Sequence, residues 1–206
     1  MNYFITNMKL QIHNGDICTN LQNRQIRNME QPAFKYPSES LVIMNELVLP
    51  NDTNYFGNLM GGRLMYWMDI ASGIASAKHS GSKGMTVSVD NLSFKDPIRL
   101  GNNVHIEAKV TRAFRSSMEI HLKVWEEDLL NQKQTETNEA YFTFVALDEN
   151  RRPKAVPPIV PQTEEESRQY ESALHRRQLR LLQAGKMNIE DAQELMTLFE
   201  SYKKKP

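Results

Sequence analysis

The run FGNLMGGRLMYWMDIASGIASAKH, residues 56–79, limits the fold more than any other stretch of this chain. From Gly61 onward it is long and apolar enough for a helix, yet it opens on two adjacent glycines and carries one acid, Asp69. Glycine gives up roughly 1 kcal/mol of helix stability relative to alanine, and a carboxylate removed from water needs a partner. A helix with apolar residues on nearly every side has to be wrapped. The order of the neighbouring segments says what wraps it.

Leu41–Leu49 predicts a strand before the helix, closed by Pro50-Asn51-Asp52. Gly81-Ser82-Lys83-Gly84 predicts the turn after it, and four strands follow. Met85, Val87 and Val89 alternate before the apolar phase moves to Leu92 and Phe94, which predicts a β-bulge near Asp90 and Asn91. Val104, Ile106, Ala108 and Val110 alternate with polar residues, as do Met118, Ile120, Leu122 and Val124. Tyr141–Leu147 is nearly continuously apolar, the pattern of a central strand. The expected class is α+β, an antiparallel sheet curled around one long helix.

The ends differ from this core. Residues 1–35, rich in Asn and Gln, are expected to form a flexible extension; 36–150 form the domain; 151–206 form a Pro-rich linker and a helical extension. In the last segment Thr163 and Glu166 make a capping box, and Glu164–Glu166 precede Arg176, Arg177 and Arg180 in the order that a helix dipole favours. A second amphipathic run starts at Asn188, and Lys203–Lys205 reads as a solvated end.

Charge decides which partners are expected. The 25 Lys+Arg balance the 25 Asp+Glu, so no basic field points to nucleic acid. No run of about 18 apolar residues spans a membrane, and the first 30 residues lack the pattern of a secretory signal. The single cysteine, Cys18, excludes an internal disulfide and fits a reducing compartment, so the expected location is the cytoplasm.

Several residues are candidates for chemistry. Gly61 and Gly62 begin the helix, where unpaired amides stabilise an anion or a polarised carbonyl oxygen, or where glycine simply allows close packing. Asn58 precedes them as a cap or a loop hydrogen-bonding group. Asp69 lies on a stripe with Gly62, Met65, Tyr66, Ser72, Gly73 and Ser76, away from Leu64, Met68, Ala71 and Ala75. It is expected to face a crevice or a partner chain, as a general base or as a satisfied structural carboxylate. Arg112, Arg115, Ser116 and Ser117, between two strands, have the groups to hold a phosphate, as has Lys83 in the turn after the helix. The five histidines have no metal spacing, and there is no G-x-S-x-G, G-x-G-x-x-G or P-loop.

Together NYFGNLMGGRLMYWMDIASGIASAKH, TVSVDNLSFKDPI and VTRAFRSSMEIHLKVW resemble the hotdog-fold acyl-CoA thioesterases of the cytosolic acyl-CoA hydrolase type, over residues 38 to 150. The resemblance implies a hotdog fold and hydrolysis of acyl-CoA, with no metal and no cofactor. It matches Asn58 to a loop position that is Asn in some members and Asp in others, and Asp69 to the helix acid that is base or nucleophile. It matches Gly62 and its neighbours to the amides that polarise the thioester carbonyl. Coenzyme A is expected near Gly61, Lys83, Arg115, Ser116 and Ser117. The resemblance also implies sites between two subunits, with dimers assembled into hexamers. A non-catalytic acyl-CoA sensor is the alternative. A hydratase is disfavoured because His79 lies at the far end of the helix.

Overall fold

The computed structural model describes residues 33–90, 92–94 and 96–203. Strand β1 (Val42–Leu47) precedes helix α1 (Gly61–Ser80). Then come β2 (Lys83–Asp90), β3 (Asn103–Ala113), β4 (Ser117–Asp128) and β5 (Lys133–Leu147). The strand, helix and four-strand order is the one read from the sequence. Every neighbouring pair is antiparallel, in the order β1-β3-β4-β5-β2, so β1 and β2 are the edges. Residues 1–32, with Cys18, lie outside the described residues, as do Lys204 and Lys205.

Alternation builds the core. Val104, Ile106, Ala108 and Val110 of β3, Met118, Ile120, Leu122 and Val124 of β4, and Ala140, Phe142 and Phe144 of β5 share the concave face. Leu64, Met68, Ala71 and Ala75 of α1 pack into it. Each large apolar side chain so buried stabilises the fold by about 1.5–3 kcal/mol. Gly81 ends α1 in the left-handed conformation, at φ 60°, and its amide bonds to Ala77 O. The sheet wraps only one side of α1. Tyr66, Ile70 and Ile74 stay exposed on the other, and Met85, Val87 and Val89 of the edge strand are exposed as well.

Two details differ from the expectation. The register shift in β2 falls between Thr86 and Ser88, not at Asp90, while Asn91 lies outside the described residues. Ser72 and Ser76, placed on the open stripe by helical spacing, are buried. A Cβ on Gly84 would meet Ser76, so β2 crosses α1 too closely for a side chain there.

The convex face is covered by α2 (Glu164–Gln183), against which α3 (Gln193–Lys203) packs. Thr163 Oγ1 caps α2 by accepting from Glu166 N at 3.1 Å. Glu166 does not return the bond to Thr163, as a full capping box requires, but accepts from Gln162 N. Beneath α2, Glu119, 2% exposed, takes two hydrogen bonds from Arg176, at 2.8 and 2.9 Å. The Pro-rich segment returns along the start of the fold, where Lys35 N donates to Pro158 O and Val160 N to Lys35 O.

Candidate active site

The loop into α1 is fixed by side chains. Asp52, buried, bridges Arg63 at 2.7 Å and accepts from Leu49 N. Its carbonyl accepts from Met60 N. Asn54 closes the following turn, its Oδ1 accepting from Phe56 N and Asn58 N while Gly57 sits at φ 74°. The Asn58 backbone answers Asn54, and its side-chain amide makes no hydrogen bond to another described residue.

This loop delivers α1 with a bare start. Met60 offers no side-chain cap, and Arg63 N and Leu64 N both turn back to Met60 O. The amides of Gly61 and Gly62 are left without a partner among the described residues. The two glycines meet different surroundings. A Cβ on Gly61 would lie 3.1 Å from the ring of Phe94, whereas one on Gly62 would meet nothing within 4 Å. Phe94 thus closes one side of the helix start and leaves the Gly62 side open.

Asp69 is exposed in the single chain, on the apolar face that the sheet does not cover. Its Oδ1 accepts from Thr86 Oγ1 of β2 at 2.5 Å. A hydrogen bond from the neighbouring strand fixes the carboxylate's orientation. Thr86 was not singled out in the sequence, because it is one more polar residue in an alternating strand until the topology pairs it with Asp69.

Distances along α1 decide what one chain can assemble. At 1.5 Å per residue, Asp69 lies about 10 Å beyond Gly62, and the helix end lies about 30 Å from its start. Lys83 follows that far end and pairs with Leu147, while Ser117 pairs with Val145 and Ser116 O accepts from Ala146 N. Lys83 and the Arg115–Ser117 hairpin are therefore brought together at the C-terminal end of α1, away from Gly61, Gly62 and Asn58. A carbonyl hydrogen-bonded to the Gly62 amide therefore stands well away from direct contact with Asp69 of the same chain.

His79 is buried, with Nε2 donating to Pro157 O at 2.8 Å. Burial lowers its pKa, with Lys35 adding to the effect, so it is held neutral inside the core. No group of three or more His, Cys, Asp or Glu among the described residues could hold a metal ion.

A bare helix start and a strand-held acid fit the comparisons with known proteins. Residues 56–131 match the model of the thioesterase superfamily. The uncharacterized acyl-CoA thioester hydrolase YkhA of Bacillus subtilis is 38% identical over 148 residues, 72% of this chain and 86% of that protein. The chain belongs to this family. Mouse acyl-coenzyme A thioesterase 11 is 39% identical over 75% of this chain, which spans only 26% of that longer protein. Among solved family structures, a hexameric acyl-CoA thioesterase is 37% identical with a TM-score of 0.72, covering 75% of this chain and 98% of that one. An acyl-CoA hydrolase from Staphylococcus aureus, solved with butyryl coenzyme A and coenzyme A, is 34% identical with a TM-score of 0.69. It covers 80% of this chain and 98% of its own. Alanine variants of that hydrolase at an asparagine, an aspartate and a threonine have been solved too, at spacings of fifteen and seventeen residues. Asn54, Asp69 and Thr86 stand at the same spacings here. Asn54 is thus a second loop asparagine beside Asn58, hidden in the sequence by its membership of an ordinary turn.

Proposed function

We propose that this chain hydrolyses the thioester of acyl-CoA to a carboxylic acid and coenzyme A. The observation that carries this is the pairing of an uncapped helix start at Gly61-Gly62 with Asp69, held by Thr86, in a chain of this family. The carbonyl oxygen of the thioester accepts from the Gly62 amide. An oriented donor of this kind is worth roughly 10²–10³ in rate. Asp69 takes a proton from water as its oxygen bonds to the carbonyl carbon, a contribution of roughly 10²–10⁴. The C–S bond then breaks, and the proton passes to the departing thiolate. Asn54 and Asn58 lie in the loop that orients the thioester.

Two chains complete the site in this reading. A two-fold axis perpendicular to α1 sets the two copies of the helix antiparallel, so the Asp69 region of one approaches the helix start of the other. The exposed apolar residues of α1 and β2 supply the face for that contact. Lys83, Arg115, Ser116 and Ser117 then take the phosphates of coenzyme A at the far end of each α1. Dimers assembling into hexamers are the proposed oligomer; one solved relative is described as hexameric. The cytoplasm is the proposed location: one relative is named cytosolic, and no described helix is long and apolar enough to cross a membrane.

Thiol release from a panel of acyl-CoAs tests the activity. Wild type is expected to turn over, and Asp69→Ala to lose about a hundredfold or more in kcat while staying folded. A wild-type protein that binds acyl-CoA but releases no thiol above background would overturn the enzyme and leave the sensor.

A further inference from the structure

The arginines of α2, and Arg112 beneath it, are unequally partnered. Arg176 is paired with Glu119 and Arg180 with Asp90. Arg177 and Arg112, both half-buried, have no ion pair among the described residues. Their positions are nonetheless fixed. The Arg177 guanidinium stacks 4.3 Å from the Phe114 ring centre, with Nη1 3.2 Å from Ser117 Oγ. Arg112 lies 5.5 Å from the same ring and 4.1 Å from that of Tyr170, and donates to Tyr170 O. Glu194 is near enough to feel Arg112, but its carboxylate takes the Gln178 amide and is exposed to water.

A half-buried cation with like-charged neighbours is a costly arrangement unless an anion joins it. Burial lowers the Arg177 pKa, and the neighbouring Arg180 and Arg112 lower it further. Ring stacking holds the guanidiniums in place without neutralising them. Arg112 stands near the end of β3, and Arg177 reaches from α2 to the β3–β4 hairpin, where it meets Ser117 Oγ. The fork of an arginine and a hydroxyl is a geometry that suits phosphate oxygens.

We propose that Arg177 and Arg112, with Ser117, form a phosphoryl-binding site that α2 completes, and that its ligand is the phosphorylated end of coenzyme A. The identity of the ligand rests on the hydrolase reading above; the unmet charge does not. On this view α2 is part of the substrate site, not only a cover for the sheet.

The test is calorimetric titration of coenzyme A, and of pantetheine, which shares its thiol arm but lacks the phosphates, into the full chain and into Arg177→Gln. Coenzyme A affinity is expected to fall about tenfold, the scale of one charge-assisted hydrogen bond, with pantetheine unchanged and Arg177→Lys intermediate. Arg112→Gln is expected to act in the same direction, and thermal melts check that each variant is folded. Unchanged coenzyme A affinity in Arg177→Gln overturns the proposal. So does an equal loss for both ligands, because that is what loosened packing of α2 would give. A chain that binds coenzyme A through Arg177 yet releases no thiol keeps this site and overturns the hydrolase. A chain that hydrolyses acyl-CoA with the same KM in Arg177→Gln does the reverse.

Discussion

Two adjacent glycines at the start of α1 answer to different physical demands. Gly61 is a matter of space, since a methyl there would press on Phe94 at 3.1 Å. In Gly61→Ala the gain in helix propensity is offset by displacement of the half-exposed Phe94 ring, so it is expected to stabilise less than Gly62→Ala, with the difference removed in Gly61→Ala/Phe94→Ala. Gly62→Ala meets nothing and gains up to about 1 kcal/mol of helix propensity, yet it crowds the open amide and is expected to lower kcat/KM. Thermal melts beside thiol-release kinetics separate the two, and equal melting shifts for both variants would contradict this division. The sequence marked Asp69 because a lone acid on an apolar helix is conspicuous. It did not mark Thr86 or Asn54, since a threonine in a strand and an asparagine in a turn are each explained by local structure alone. Nor did it say that Gly61 and Gly62 differ, because Phe94 reaches Gly61 only through the fold.

At the scale of elements, α2 is tied to the sheet by a nearly dry ion pair. Glu119 is 2% exposed and takes both of its charge-assisted bonds from Arg176, with Thr111 Oγ1 adding a third at 2.8 Å. Arg176→Met leaves that carboxylate buried and unpaired, so a loss of about 3–5 kcal/mol is expected in urea unfolding. Adding Glu119→Gln should recover most of it; a loss below about 1 kcal/mol in the single variant would show that water replaces the guanidinium. Alternation made the core faces of β3, β4 and β5 legible in advance, because period two assigns a side to each residue. It does not assign neighbours, so the strand order had to come from the structure. In β2 the same alternation marks Met85, Val87 and Val89, which the structure leaves exposed. A strand left exposed in the single chain reads in sequence like a strand made for a core.

The molecule as a whole carries a pH signature. His79 and His121 are both held below the ordinary histidine value, first by burial, although Glu139 hydrogen-bonds His121 and raises it in part. As pH falls through about 6.5, the unfolded chain gains protons that the folded chain refuses, so stability is lost toward acid. The melting temperature is expected to fall between pH 7.5 and 5.5, and a flat or rising profile would contradict neutral buried histidines. The same scale holds the central claim, that a helix start of one chain and Asp69 of another act on one thioester. Co-expression of differently tagged Asp69→Ala and Gly62→Val chains, with purification of mixed oligomers and assay of thiol release, tests it most directly. Each parent is expected to lose most activity, and on this account a mixed dimer contains one site with both changes and one with neither. The account predicts recovery of about half the wild-type rate per mixed dimer, since sites between two-fold-related chains come in pairs. Mixed oligomers as inactive as their parents would place both groups in one chain and contradict it.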